Sequence, residues 1–573
     1  MLWAGYGILG GSCESVGFDR HTVPSAGALY PLRISLVLFQ PLGDLESGVY
    51  DVTFSPDGSV GLVLVSTDLV PIYQAFADPL ILHGATGVIV INGSFEVTAA
   101  KYGNRALLYV PLEAGHVAQN IYLSAAESDV ATVEIGGFLE ESMQEALHLP
   151  EGYLPLSTVV FGEVGEPQES YQSAIEVRWV VPKAGGYTAP FILVFARWKH
   201  GALEKDDWSC GRSKDPFIAH AKAVAEAEEW AACGFPEGLV WSRARDLPGM
   251  VSPEVFVAFH PEQYESSHFP FFPFDPETEY EWKEAVDLTT GTQRFVLADC
   301  IYFPYHPEYP RYASANSSGA AAYPTRSGAV ERAVLELIER DAFMIVWLNR
   351  LVMPTVQVES LPTDVRERIG KLEETGFEVI VKDLTLDLAP VVLVFVQNEE
   401  LHYTNCSASS SFNPLEALDR ALMEVESAVY CRLAFGSSEP ILPEDVRMTQ
   451  DHGRLYEQEA FFHRADFLKE HMLLKDFGEI GVAHCSSWEG LLRILSEQQR
   501  SVFVVDLEVP EVDGKKPTLH KVKAFVTGLV PISFGYGEEP CGMQRIYDVP
   551  VALGFCSERL RYGELNTFPH PYT

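Results

Sequence analysis

Residues 331–347, ERAVLELIERDAFMIVW, constrain the fold more than any other stretch. Wound at about 100° per residue, a helix here puts Arg332, Glu336, Glu339 and Arg340 on one arc. Almost every other position is apolar: Ala333, Val334, Leu335, Leu337, Ile338, Phe343, Ile345, Val346 and Trp347. A helix that is apolar nearly all round is a buried helix. Unpaired charge in a core is too costly, so the charged arc has to face a polar cavity.

The chain is long enough to enclose such a helix: 573 residues make several domains at about 150 residues each. Apolar residues are 47% and charged residues 21%, a globular and not a disordered composition. Lys and Arg number 41 against 80 Asp and Glu, a net charge of −39. That field repels phosphate backbones and anionic lipid, so nucleic acid and membranes are not expected partners. The nine cysteines are scattered and include no C-x-x-C, which suits reduced thiols and a cytoplasmic setting. No uncharged apolar run reaches the roughly 18–20 residues of a membrane span. Met1–Ala4 lacks the basic start of a signal peptide.

Two further helices carry acids at turn spacing. Asp215-Pro216 is a cap followed by proline at the first helical position, and Glu226 and Glu229 follow on one face. Asn413-Pro414 repeats the start signal, with Glu416 at the capping-box position. Glu416, Arg420, Glu424 and Ser427 then share a face. Salt-bridge ladders on solvated faces are one reading of these helices. The other is ligation of a hard cation: carboxylate oxygens suit Mg²⁺, which bridges to nucleotide phosphates, with arginine neutralising phosphoryl charge. No G-x-x-x-x-G-K-[ST] loop occurs.

Residues 1–165 read as a mixed α/β module, with strands at Leu62–Val65 and Val88–Ile91 and a helix over Leu112–Ala126. Breaker and charged residues over Gly162–Ser170 mark a boundary. Residues 166–573 read as α+β, with strands such as Val391–Val396 and Val502–Val505. Gly5, Gly7 and Gly10 spell G-x-G-x-x-G, but no strand precedes them, so a dinucleotide site is not expected.

ANSSGAAAYPT (315–325), the helix at 331–350, TGLVPISFGYG (527–537), QRIYDVPVALG (544–554) and ELNTFPHPYT (564–573) together resemble the YcaO family, of the SagD-like kind, from about 175 to 573. The resemblance implies ATP- and Mg²⁺-dependent attack by a Cys, Ser or Thr side chain on the preceding peptide carbonyl of a ribosomal precursor peptide. The carbonyl oxygen would take the γ-phosphoryl group and leave as phosphate, giving an azoline. Carried over by motif, the metal ligands are Glu226, Glu229, Glu336, Glu339 and Glu424. Lys222, Ser317, Gly319, Arg340 and Ser427 fall at ATP-binding positions, and Pro571 in the proline-rich tail is a catalytic candidate. Lys222, Trp230, Ser427 and Thr573 stand where the family usually has Ser, Arg, Gln and Pro. A thioamide- or amidine-forming activity is the alternative outcome for this half. No segment resembles a leader-binding domain, so a separate recognition partner is expected.

HTVPSAGALYPL (21–32), SGVYDV (47–52), AAKYGNRALLYVPLEAGHVAQNIYLSA (99–125) and TVEIGGF (132–138) resemble the nitroreductase superfamily, specifically its SagB-like azoline dehydrogenases. The resemblance implies an FMN fold, azoline-to-azole oxidation and a homo-oligomer. Ser25, Ala26 and Gly27 would approach the flavin, and Lys101 and Tyr109 are candidates for proton removal. The match begins downstream of the family's arginine cluster for the FMN phosphate, as in an N-terminally truncated module. Glu127-Ser128-Asp129-Val130 replaces a Gly-rich turn, and its acids should repel phosphate. A flavin site completed by a neighbouring chain and a non-catalytic scaffold both follow from these features.

Overall fold

The computed structural model describes residues 1–9, 20–163, 175–180, 182–199, 208–481, 485–509 and 519–572. Most of the expected boundary at Gly162–Ser170, together with Gly10 and Thr573, lies outside the described residues.

The first module is built on a six-stranded sheet in the order Val60–Ser66, Gly48–Phe54, Leu32–Leu38, Ala85–Gly93, Leu154–Gly162, Ala131–Ile135. Every pairing in it is antiparallel. Its central strands are runs of β-branched and leucine side chains, and Ile34 sits opposite both Val52 and Ile91. Helices α1 (Val70–Ala75), α2 (Phe95–Tyr102) and α3 (Ala106–Glu127) pack around it. Val110, Ala114, Val117 and Ile121 recur at helical spacing on α3 and are buried against the sheet with Ile34, Leu36 and Ile91. Gly5 and Gly7 precede the short strand Ile8–Leu9 and do not follow one, so the dinucleotide pattern lacks its context.

In the second module the elements that build the site are, in chain order, β1 (Ser209–Ser213), α4 (Pro216–Cys233), β2 (Ala320–Tyr323), α5 (Arg326–Asn349), β3 (Tyr403–Ser410), α6 (Pro414–Phe435) and β4 (His520–Val526). Strands β1, β2 and β3 are edges of three different sheets, and β4 pairs antiparallel with β2. Helices α4 and α6 start where the sequence signals put them, while α5 starts at Arg326, five residues before the expected stretch. Asp215 accepts from the N–H groups of Phe217 and Ile218 at 2.8 and 3.2 Å, and Thr325 accepts from Gly328 at 3.2 Å. Asn413 accepts from Leu415 at 3.1 Å. The expected capping box at Glu416 does not form: the Asn413 N–H goes to Ser411 Oγ at 3.2 Å, and the same hydroxyl donates to Glu416 at 3.1 Å. A nearby serine competes successfully for that donor.

α5 is buried as its composition requires, with Val334, Ile338, Phe343, Ile345 and Trp347 at 2% exposure or less. α4 packs by a different device. Its stripe of Ala219, Ala223 and Ala227 lies so close to β1 that a Cβ at Gly211 would sit 1.8 Å from the Ala219 carbonyl oxygen. The first module braces the start of this helix, where Tyr73 meets Phe217 edge-on with centroids 6.2 Å apart, and Gln74 Nε2 donates to the Phe191 carbonyl at 3.0 Å, just before the strand Ile192–Trp198. Among the described residues no helix is long and apolar enough to cross a membrane.

Gly211→Ala is therefore expected to force β1 off α4 and to lower stability by about 1–3 kcal/mol, the usual range for overpacking. Urea unfolding of the variant measures it, and an unchanged midpoint would refute the close approach.

Candidate active site

The helices α4, α5 and α6 bring five carboxylates within reach of one another's charge. Glu226 accepts from the Cys210 N–H at 2.8 Å, and Glu336 accepts from the Gly319 N–H at 3.1 Å. Glu339, 7% exposed, accepts from the Ser410 N–H at 3.2 Å and the Tyr572 hydroxyl at 2.6 Å. Glu424 accepts from the Ser407 hydroxyl. Glu229 faces Glu336 and Glu226, with Lys523 and the Ala322 N–H offsetting part of its cost.

Burial and then mutual repulsion govern these groups. Burial first, and the charges of Glu424 and Glu336, push Glu226 up from 4.5 to about 7, against the help of Arg212. Burial first, with Glu336 and Glu424, pushes Glu339 up to about 7, against Arg340. Glu229 is raised well above its ordinary value, by burial first and then by Glu336 and Glu226.

Arg340 supplies one opposing charge. Its Nη1 lies 3.3 Å from Glu339 and its Nη2 3.4 Å from Glu336, and its guanidinium stacks on Tyr572 at 4.4 Å. Its buried Nε and Nη1 have no hydrogen-bond partner. Lys222 is exposed and donates to the Arg212 carbonyl at 3.0 Å. Ser427 accepts from Arg212 Nε at 2.7 Å. Ser317 and Gly319 lie in the turn before β2. Gly319 has φ +79°, and a Cβ there would meet the Ala524 carbonyl oxygen at 2.8 Å, so the turn requires glycine.

Three residues of this cluster are additions to the sequence reading. Lys523 on β4, buried, donates to the carbonyls of Asn316 at 2.5 Å and Ser318 at 2.7 Å, flanking Ser317. Arg212 enters from β1. In the tail it is Tyr572 that touches the carboxylates, while the Pro571 carbonyl accepts from the Cys406 N–H at 3.4 Å.

Among the described residues no three His, Cys, Asp or Glu side chains converge closely enough to enclose a metal ion by themselves. The spread-out carboxylates, with arginine and lysine between them, suit ions shared between one or two carboxylates and the phosphates of a ligand. Magnesium commonly binds in that way.

In the first module, Gly27 takes φ +64° inside the turn Ala26–Ala28, and a Cβ there would fall 2.6 Å from both Lys101 Nζ and the Tyr102 hydroxyl. Ser25 Oγ accepts from the Tyr30 N–H at 2.9 Å and bonds to buried Glu113, which also accepts from the Tyr6 hydroxyl at 2.9 Å. Tyr109 lies seven residues past Tyr102, on α3: its hydroxyl accepts from Arg105 at 2.9 Å and its ring meets Tyr102 edge-on at 5.4 Å. Tyr102, next to Lys101 in sequence, is thus the tyrosine whose hydroxyl reaches the small-residue turn. The space a side chain would take at Gly27 is thus filled by Lys101 and Tyr102. Asp129, in the acidic replacement turn, is exposed with φ +51°.

The family model for the YcaO cyclodehydratases, described as ATP- and Mg²⁺-binding, matches residues 210–530. The chain belongs to the YcaO family. The nitroreductase family model matches residues 1–163. A Methanocaldococcus jannaschii protein named provisionally as a nitroreductase is 36% identical over 166 residues, 28% of this chain and 76% of that protein. Among solved structures, a heterocyclase in complex with substrate and cofactor aligns with TM-score 0.57 at 21% identity, over 70% of this chain. The chain spans 55% of that heterocyclase's length, and the likeness is one of fold. A YcaO protein of Methanopyrus kandleri, bound with AMPPCP and Mg²⁺, aligns with TM-score 0.48 at 21% identity, over 64% of this chain and 88% of that one.

The raised carboxyls make a pH prediction. The folded chain holds protons on Glu226 and Glu339 up to about pH 7, where the unfolded chain has released them near 4.5. Without ligand, stability therefore falls as pH rises through that window. Glu226→Gln removes one such charge, so it should melt above the parent at pH 8 and level with it at pH 5. A lower melting temperature at pH 8 would contradict the assigned burden.

Proposed function

We propose that this YcaO protein closes azoline rings in a ribosomally made peptide, spending ATP, and that its nitroreductase module oxidises the azoline to an azole. The observation that carries the first half is the cluster itself: five carboxylates from three packed helices, interleaved with arginine and lysine. Glu226, Glu229, Glu336, Glu339 and Glu424 would hold magnesium, which when bound neutralises phosphate charge. Lys222, Arg340, Ser317, Gly319 and Ser427 would hold ATP. Arg340, stacked on Tyr572 and flanked by Glu336 and Glu339, is positioned to meet a phosphoryl group.

In this reading a cysteine thiol or a serine or threonine hydroxyl adds to the preceding carbonyl carbon. The carbonyl oxygen, now an alkoxide, attacks the γ-phosphorus and ADP departs. The C–O bond then breaks, phosphate leaves, and the amide nitrogen loses its proton to give the C=N bond. The peptide loses one water overall. In the tail Tyr572 holds Glu339 by its hydroxyl, and Pro571 beside it would act at the same centre.

For the second half, Ser25, Ala26 and Gly27 would seat FMN, which when bound accepts hydride. Lys101, with Tyr102 beside it and Tyr109 on α3, would take the ring proton. A separate leader-binding protein and self-association belong to the same reading. The latter is supported by Leu107, Leu108 and Leu112, which are at least 50% exposed on α3.

Mass spectrometry of a precursor peptide incubated with the chain, its partner, ATP and Mg²⁺ tests this. The expected product is lighter by about 18 Da per ring, one water, and by a further 2 Da or so where the nitroreductase module has acted with its cofactor. Loss of water alone from a colourless protein would leave the first module a scaffold, in keeping with the acidic turn at Glu127–Asp129. A mass gain fitting a thioamide would move the chain to the alternative activity, and an unchanged mass would refute the proposal.

A further inference from the structure

We propose that Arg212 grips the phosphates of the nucleotide and that Ser427 aims it. This rests on the nucleotide reading above and extends it to a residue that the helix motifs do not include.

Arginines that serve only the fold in this chain close their forks on carboxylates. Arg368 meets Glu426 at 2.6 and 3.1 Å, and Arg545 meets Asp341 at 2.6 and 2.9 Å. Arg212 is different. Its one hydrogen bond runs from Nε to Ser427 Oγ at 2.7 Å, and its nearest carboxylate, Glu424, stands 4.0 Å from Nη1. Among the described residues, neither Nη1 nor Nη2 makes a hydrogen bond. Four N–H donors on a planar, permanently charged group are left open beside Glu424 and Glu226. That fork matches two oxygens of a phosphate.

The surroundings fix this aim. Ser427 donates its own proton to the Met423 carbonyl at 2.8 Å, which turns its lone pairs toward Arg212. Lys222 holds the Arg212 carbonyl at 3.0 Å and thereby the strand position. Burial first, then the charges of Arg420, Arg332 and Arg212, disfavour the Lys222 charge against the help of Asp419, so four cations gather here beside one carboxylate. On α4 the residue after Glu229 is Trp230, which adds no charge there.

The test uses the full-length chain and calorimetric titration with Mg²⁺ and either ATP or AMP. Arg212→Lys keeps the charge and removes the fork. It should weaken ATP binding about 10- to 100-fold, the scale of lost hydrogen bonds to a charged group, and weaken AMP binding less. Ser427→Ala leaves the guanidinium in place and should produce a smaller loss of the same kind, with the double variant no worse than Arg212→Lys alone. It keeps the test decisive if Arg212→Lys fails to fold. Unchanged ATP affinity, or equal losses for ATP and AMP, would overturn the assignment and leave Arg212 as a charge balance for Glu226 and Glu424. A parent chain that binds no ATP would instead overturn the nucleotide reading, before any variant is made.

Discussion

Carboxylates held out of water in mutual repulsion are the constraint on which the rest of this structure depends. Each is expensive to ionise where it sits, and together they are more so, because every charge raises the cost of the next. The fold meets that cost with apolar packing: α5 buries almost its whole surface, and α4 lies against β1 without space for a single methyl group. The carboxylates are thus held together against their own repulsion, which a doubly charged cation with a polyphosphate would relieve. Stability given up at a site in this way is a common accompaniment of function.

The supports around the carboxylates follow from this. Three sheets present their edge strands to them, so backbone N–H groups from Cys210, Gly319 and Ser410 are free to meet carboxylates and not a neighbouring strand. Lys523 ties the Asn316–Ser318 turn from beneath. The tail threads back into the core, where Trp347 donates to the Phe568 carbonyl and Tyr456 to that of Pro569, and ends with Tyr572 on Glu339. The first module reaches this centre mechanically, through Tyr73 at the start of α4.

Much of this was legible in the sequence because helices write their burial in periodicity. The arc at Arg332, Glu336, Glu339 and Arg340 and the caps at Asp215 and Asn413 needed only local rules. The capping box at Glu416 failed because Ser411, two residues before the cap, offered a nearer partner. Arg212 and Lys523 were not legible. Each sits on a strand whose local pattern says nothing of the edge it faces, and each gains its role from residues more than 200 positions away. Tyr102 was masked by Tyr109, which shares its chemistry but is engaged by Arg105. The strands of the first module were legible by their β-branched runs, and their antiparallel order was not, since order is a property of pairing.

Manganese in place of magnesium, followed by electron paramagnetic resonance, tests the central claim most directly. With ATP present the parent chain should bind Mn²⁺, and a Glu336→Gln/Glu339→Gln double variant with an unchanged circular dichroism spectrum should lose that signal. Equal Mn²⁺ binding by both proteins, or none by the parent, would contradict the account.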